Sequence, residues 1–314
     1  LITGGAGFVG SNLVEYLLTN GAKKVRVLDN LETGNYENLK RFEALENFEF
    51  VKGDISVFQD CLDATKGIDY VSHQAALGSV PRSLKNPLAT NSANVDGFLN
   101  MVTAARENKV KRLVFASSSS IYGDRLKLPQ VESEIGNPLS PYAVSKYSNE
   151  LYAKVCHLNY GQELIGLRYF NIFGPNQSPK GAYAAVIPLF IQALLKNQSP
   201  FINGDGSQSR DFTFVENAVQ ANVKAFFTTN SEALGEIFNV AVGEKYSLLD
   251  LFNTIKEKIG ATAAAVHREE RAGDIKNSLA DISKAKKLLG YDPTVRFKEG
   301  IDKTIAWFKE NNPA

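Results

Sequence analysis

"TGGAGFVG", residues 3–10, lies between a short apolar run, "LIT", and a helical pattern, "FVGSNLVEYLLTNG", that stops at Asn20 and Gly21. Gly4, Gly7 and Gly10 recur at every third position. Glycines so spaced let backbone N–H groups close on a pyrophosphate, which then sits at the positive end of the following helix. Taken alone, they fit a tight strand-to-helix turn without any ligand equally well. The pattern downstream decides. Short β-branched or apolar runs, "KVRVLD", "FEFVKGD", "DYVSHQA", "KRLVFASSS", "LIGLRYF" and "IFNVA", alternate with helical stretches such as "NVDGFLNMVTAAREN". Strand and helix in alternation predict an α/β fold, a Rossmann-type doubly wound parallel sheet whose ligands bind at the carboxyl ends of the strands.

From about Pro175 to Arg210 the pattern loosens, and beyond Tyr246 two amphipathic helices, "SLLDLFNTIKEKIG" and "SKAKKLLG", are each opened by Ser and closed by Gly. We therefore expect residues 1–174 to form a dinucleotide-binding domain, to which 212–242, with "FTFVENAVQANVKAFF" and "IFNVA", return. Residues 175–211 and 243–314 are expected to form a smaller mixed α/β substrate lobe. A chain of 314 residues is long enough for both. With only "LIT" ahead of the glycines, the first strand reads as clipped.

Lys plus Arg number 35 and Asp plus Glu 34, a formal charge of +1, which gives no reason to expect a nucleic-acid or membrane-surface partner. Cys61 and Cys156 cannot make a disulfide framework, and His73, His157 and His267 show no zinc spacing. No stretch approaches the roughly 18 apolar residues of a membrane span, and no signal peptide is visible. These features predict a reduced, metal-free, cytoplasmic protein.

Asp29 ends the second strand, roughly 20 residues past the glycine loop, where an acceptor for both hydroxyls of an adenine ribose belongs. Its charge would repel a 2′-phosphate, so NAD is expected rather than NADP. Asp54, after the third strand, is placed to meet the adenine, and Ala75 and Ala76 in "HQAAL" let backbone approach the dinucleotide. His73 reads as a packed strand-end residue rather than an acid or base.

In "SPYAVSKYSNE", residues 140–150, Tyr142 and Lys146 are four apart, within reach on one helix face. The same spacing joins Tyr36 to Lys40 in "YENLK", where no serine accompanies it. Upstream of Tyr142, the fifth strand ends in "FASSSSIYG", which brings Ser118 to the same end of the sheet. A free phenol titrates near 10, and an adjacent Lys⁺ is expected to lower that by roughly 1–3 units, with the positive nicotinamide of an oxidised cofactor pushing the same way. Tyr142 would then take a proton from a substrate hydroxyl as hydride leaves the same carbon for NAD⁺. Ser118 would hold that hydroxyl, and Lys146 would anchor the nicotinamide ribose.

These residues, with "TGGAGFVGSNL", "HQAALGSVPRS", "ASSSSIYGD", "NPLSPYAVSKY", "GLRYFNIFGP", "GAYAAVIP", "INGDGSQSRDF" and "RAGDIKNSLADISKA", carry a family resemblance along nearly the whole chain. The chain is similar to the extended short-chain dehydrogenase/reductases, and within them resembles the bacterial UDP-N-acetylglucosamine 4-epimerases. The resemblance implies tightly bound NAD, contacted also by Phe8, Val9, Asn30, Ile55, Gln74 and Asn94, with Tyr169 in the nicotinamide pocket. For a UDP-sugar it implies Asn171 at the diphosphate or sugar and Arg210 and Arg271 on the diphosphate, where a planar guanidinium makes paired bonds. Gly78, Ser79, Ser119, Gln177 and Ala185, with Val186 and Asp274, are the implied sugar contacts. A homodimer through helices near 94–107 and 141–159, and a place in surface-polysaccharide synthesis, are further expectations.

Family comparison also narrows the reaction. Sister 4,6-dehydratases place Asp and Glu directly after the catalytic hydroxyl residue, and decarboxylases a Glu; here stand Ser119 and Ser120. Hydroxyls are poor replacements for such acids, so elimination is disfavoured and epimerisation through a 4-keto sugar remains. Ser278 in "KNSLAD" occupies a position where galactose-restricted relatives carry tyrosine, leaving room for a 2-acetamido group. UDP-glucuronate or UDP-glucose epimerisation is the nearest alternative. A non-catalytic NAD-sensing module would typically lack the Tyr or the Lys, and a net NADP-linked reductase would consume added cofactor.

Overall fold

In the computed structural model, which describes residues 1–179, 184–269 and 276–311, the glycine turn joins β1 (Ile2–Thr3) to α1 (Phe8–Thr19). There follow β2 (Val25–Asp29), β3 (Phe48–Lys52), α2 (Phe58–Ala64), β4 (Tyr70–His73), α3 (Val80–Lys85), α4 (Pro87–Asn91), α5 (Gly97–Glu107), β5 (Arg112–Ser118), α6 (Pro141–Tyr160) and β6 (Glu163–Tyr169). Beyond β6 lie β7 (Ile172–Phe173), α7 (Val186–Leu195), β8 (Phe201–Asn203), β9 (Ser209–Arg210), β10 (Thr213–Phe214), α8 (Val215–Phe227) and β11 (Ile237–Val240). The tail adds β12 (Tyr246–Ser247), α9 (Leu248–Ile259), β13 (Val266–Arg268), α10 (Ser283–Leu289) and α11 (Phe297–Asn311).

Seven strands form one parallel sheet in the order β11-β6-β5-β4-β1-β2-β3. This is the doubly wound arrangement the alternating pattern predicts. Helices cover both faces, so the strands are apolar on both sides; Leu113, Val114 and Phe115 of β5 and Leu164, Ile165 and Leu167 of β6 are all buried. Strand order reverses between β1 and β4, and the crevice at their carboxyl ends is the place such sheets offer a ligand.

Residues 237–240 add β11 beside β6, with Ile237 opposite Gly166 and Val240 opposite Tyr169. The "FTF" segment behaves differently from expectation. Thr213 and Phe214 pair with Ile172 and Phe173 in a separate two-stranded ladder. Only α8, which continues from them, meets the sheet: Nη1 of Arg112 on β5 donates to the carbonyls of Ala225 and Phe226 at 2.9 and 2.8 Å. A second apolar cluster, including Phe173, Phe190, Phe212, Phe252 and Phe297, packs between α7, α9 and α11.

Helix ends follow local chemistry. Ser247 and Asp250 make a reciprocal capping box on α9, and Gly260 closes it at φ +76°. The expected opening of α10 by Ser283 is corrected: Ser283 lies inside the helix, and its N–H donates to Oδ1 of Asp281 at 2.7 Å. The carboxylate two residues upstream supplies the acceptor that the serine was expected to supply. Between α4 and α5, residues Ser92–Asp96 wind as a π turn. Tyr36 and Lys40 fall in two separate 3₁₀ turns rather than on one α-helical face. Among the described residues, no helix is long and apolar enough to cross a membrane.

His73 ends β4 fully inside, its Nδ1 2.9 Å from Oγ1 of Thr3. Burial, with the Lys146 charge adding to it, pushes its pKa down from 6.5 to about 3. Between those values the unfolded imidazole binds a proton that the folded one refuses, so stability is lost as pH falls through that window. His73→Gln keeps a partner for Thr3 and cannot titrate, so it should lose less stability than the parent between pH 6.5 and 3. Denaturant midpoints at stepped pH check this; parallel curves for the two proteins would refute it.

Candidate active site

Close packing shapes the glycine turn. A Cβ on Gly10 would lie 2.2 Å from the Gly4 carbonyl oxygen, and one on Gly4, at φ +67°, would lie 2.7 Å from the Ala75 backbone nitrogen. Gly7 stands at the α1 N-cap with no side-chain cap, so the helix's first N–H groups remain available at its positive end. Gly4, Gly7, Phe8, Val9 and Gly10 line one end of a cleft of ≈730 Å³. Asp29, Asn30, Asp54 and Ile55 line it at the ends of β2 and β3. Gln74, Ala75 and Ala76 carry it past β4 to Ser118, Tyr142, Lys146 and Tyr169. A side-chain-free cradle, an uncapped helix and a strand-end carboxylate suit a dinucleotide's pyrophosphate and adenine ribose.

Asp29 is held by its own loop: Oδ2 accepts from the Ala6 N–H at 3.0 Å and Oδ1 from the Leu31 N–H at 2.8 Å. Burial raises its carboxyl, and those two N–H groups oppose the rise. Asn30 donates to Oδ2 of Asp54 at 2.9 Å, tying the two strand ends together.

At the other end of the cleft, Ser140 caps α6 by accepting from the Ala143 N–H at 3.1 Å, and Pro141 fills the first helical position. Tyr142 therefore lies in the first turn and Lys146 one turn on. Ser118, at the tip of β5, accepts from the N–H and hydroxyl of Ser120 at 3.1 and 2.9 Å and lines the cleft beside Tyr142 and Lys146. The three predicted groups thus share one corner.

Their electrostatics differ from expectation. Burial pushes the Tyr142 phenol up from 10, and Ser118 opposes the rise. The Lys146 ammonium donates to the Ala116 carbonyl at 2.9 Å, and burial lowers its pKa to about 8. Burial disfavours the charged form of each group. Tyr169 is a wall of this corner: its hydroxyl accepts from Nδ2 of Asn222 at 2.7 Å and donates to Oε1 of Gln74 at 3.1 Å, and burial raises it to about 12.

A second cavity of ≈1460 Å³ adjoins the cleft, sharing Ser79, Asn171, Ile172, Gln177, Ala184 and Ala185 with it. Val186 and Arg210 line only this second space, and Gly78 only the first. Asn171 donates to the Asp211 carbonyl at 3.1 Å, and Nη1 of Arg210 to the carbonyls of Ser209 and Lys276 at 2.9 and 3.2 Å.

Three predicted contacts are placed elsewhere. Asn94 lines neither space: it is buried behind the cleft, accepting from the Leu77 N–H at 2.8 Å and donating to Ser145 at 3.0 Å. Ser119 and Ser278 also line neither, although the Ser278 N–H donates to the Ser209 carbonyl beside Arg210. Arg271 and Asp274 lie outside the described residues. Conversely, sequence reasoning missed Ser120, Asn222, Arg82 in the cleft wall, and Phe201 with the Arg268 guanidinium 3.7 Å over its ring in the larger cavity. Phe201 and Arg268 meet only because β8 and β13 pair, which no local spacing announces.

Comparison with known proteins agrees with this geometry. A profile of the NAD dependent epimerase/dehydratase family matches residues 1–241. A putative UDP-glucose 4-epimerase of Methanocaldococcus jannaschii is 41% identical over 316 residues, covering 99% of each chain. The crystallised UDP-N-acetylglucosamine 4-epimerase of Methanobrevibacter ruminantium, in complex with UDP-N-acetylmuramic acid, superposes with a TM-score of 0.93 at 41% identity over 98% of this chain and 97% of that one. The UDP-glucuronic acid 4-epimerase of Bacillus cereus, in complex with UDP-glucuronic acid and NAD, gives 0.91 at 31% identity over 98% of each. With its seven-stranded sheet, its glycine cradle and these relatives, the chain belongs to the NAD dependent epimerase/dehydratase family, the NAD-using sugar epimerases among the extended short-chain dehydrogenase/reductases.

Proposed function

We propose that the protein is a UDP-sugar 4-epimerase that interconverts UDP-N-acetylglucosamine and UDP-N-acetylgalactosamine around a tightly held NAD. The observation that carries this reading is the corner where Ser118, Tyr142 and Lys146 meet, beside the residues shared by the dinucleotide cleft and the larger cavity. Bound NAD supplies a hydride acceptor and donor. Tyr142 takes the proton of the sugar's 4-hydroxyl as that carbon becomes a ketone, and returns it after the sugar has turned over. Ser118, its oxygen accepting from Ser120, keeps its own proton and directs that O–H as a hydrogen bond to the reacting oxygen. Lys146 holds positive charge beside the phenol's end of the cleft and offers donors to the nicotinamide ribose. Arg210, with Arg271 as a second proposed cation, grips the diphosphate so that the sugar alone rotates.

Two observations support the acetamido sugars. None of the six residues shared by the cleft and the cavity is charged, so a glucuronate carboxylate would meet no cation among them. The Methanobrevibacter ruminantium neighbour is a UDP-N-acetylglucosamine 4-epimerase. Ser278, beside Arg210's strand, is the proposed determinant of room for the acetamido group.

A homodimer is part of the proposal. Along α6 the exposed residues Val144, Leu151, Val155 and Leu158 fall on one stripe, and Leu84 and Leu88 on α3 and α4 are 63% and 82% exposed. A second copy applied to this face, with α5 and α6 of each forming a four-helix bundle, would cover the stripe. We place the enzyme in the cytoplasm, in keeping with two buried free thiols, Cys61 and Cys156.

Protein purified without added cofactor should epimerise UDP-N-acetylglucosamine, followed by the configuration of the product; turnover of UDP-glucuronate alone would overturn the substrate assignment. Tyr142→Phe should lower kcat by about a hundredfold or more while NAD stays bound, since general acid–base groups contribute on the order of 10²–10⁴; undiminished activity would remove the phenol from its role. Ser278→Tyr should depress turnover of the acetylated pair more than that of UDP-glucose. Replacing Leu151 and Val155 together by Glu should shift the sedimenting species from dimer to monomer, and an unchanged mass would move the interface elsewhere.

A further inference from the structure

Behind the corner just described lies a buried ion pair that none of the proposed chemistry uses. Glu150 on α6 and Arg168 on β6 have side chains only 5% and 4% exposed. Nε of Arg168 donates to Oε1 of Glu150 at 2.8 Å and Nη2 to Oε2 at 2.7 Å. Oγ of Ser117 on β5 donates to the same Oε1 at 2.5 Å. The remaining Arg168 nitrogen donates to the Glu132 carbonyl at 3.2 Å, and the guanidinium lies 4.9 Å over the Tyr122 ring. No member of the cluster is left to water.

The placement of these three residues is what gives the cluster meaning. Ser117 and Arg168 are register partners on adjacent strands, as are Ser118 and Tyr169 one position on. Successive strand residues point to opposite faces. Ser117 and Arg168 reach Glu150 on α6, Ser118 and Tyr169 line the cleft, and Ser117 touches the cleft wall as well. Glu150 is one helical turn beyond Lys146 and two beyond Tyr142.

We infer that Glu150, gripped by Ser117 and Arg168, is a positioning residue: it sets how far along and at what rotation α6 lies over β5 and β6, and so where the Tyr142 phenol and Lys146 ammonium stand relative to Ser118. Buried ion pairs are weak sources of net stability, because desolvation offsets their attraction. A bidentate fork with a third donor does, however, define one geometry sharply. The pair has a second effect. A carboxylate one turn from a lysine would ordinarily pair with it; with Arg168 occupying Glu150, Lys146 is left to the Ala116 carbonyl and the cleft.

This inference rests on the epimerase reading, and its test separates the two. In the purified, NAD-holding protein, Glu150→Asp keeps the charge but shortens the arm, and Ser117→Ala removes one of the three bonds. Glu150→Asp should lower kcat per bound NAD by about tenfold or more, since a displacement of about 1 Å can cost on the order of 10²-fold. Ser117→Ala should act in the same direction more mildly, and is the deciding variant if Glu150→Asp does not fold. The UDP-N-acetylglucosamine KM should stay within about twofold in both, as expected when geometry at the reacting atoms rather than binding is altered. The phenolate titration of Tyr142, taken as the difference between each protein and its Tyr142→Phe counterpart, should move in both variants. A lower melting temperature with unchanged kcat per bound NAD and an unmoved phenol titration would show a structural cluster only and overturn the inference. A parent protein inactive on every UDP-sugar would instead sink the epimerase reading, and the phenol titration would still decide the clamp.

Discussion

Where α6 meets the tip of β5, Lys146 is buried while Tyr142 and Ser118 stand half-buried on the floor of the cleft, and the electrostatics of the site follow from that graded burial. Burial keeps water from the ammonium and works against its charge, bringing Lys146 down to about 8, and it also pushes the half-buried Tyr142 phenol up. The same exclusion strengthens every remaining dipole. Ser118 and Ser120 on one side and the Ala116 carbonyl on the other therefore become strong directional partners instead of incidental ones.

The rest of the site is organised around that corner by the sheet. Parallel strands end at one edge, so residues far apart in sequence deliver their side chains to the same crevice: Gly4 after β1, Asp29 at the end of β2, Gln74 after β4, Ser118 at the end of β5 and Tyr169 at the end of β6. Buried polar networks pin these ends to each other. Asn222 on α8 donates to Tyr169 and accepts from Ser72 and Gln74, using both ends of its amide. Thr3 meets His73 and accepts from the Ala75 N–H. Such networks define a single arrangement because any rearrangement would leave a polar group unpaired in a dry interior.

The larger cavity is built on another principle. Its walls come from short ladders, β8 with β13 and β9 with β12, and from the aromatic cluster beneath α7 and α9. Arg210 and Arg268 reach it from these small elements, while Asn171 and Gln177 reach it from the end of the sheet. Groups that would hold a diphosphate are thus separated from groups that would do chemistry on the sugar.

Much of this was legible in the chain itself. The repeat of strand and helix specified the parallel sheet because local hydrophobic periodicity is set by backbone geometry, and the places of Gly4, Gly7, Gly10, Asp29, Ser118, Tyr142 and Lys146 on the cleft were readable because they depend on position relative to strand ends and helix turns. Caps were nearly as clear, though Ile282 and not Ser283 stands at the N-cap of α10, with Asp281 accepting from the Ser283 N–H. What tertiary structure alone decided was everything that depends on which distant segments touch. It turned Asn94 away from the cleft toward Leu77 and Ser145, sent Thr213 and Phe214 to pair with β7, joined Phe201 to Arg268, and enclosed Glu150 with Arg168 and Ser117. It also set the burial that raises the Tyr142 phenol and lowers Lys146, because the loss of water around a group depends on distant segments packing over it, whereas spacing gives only which neighbours it can meet.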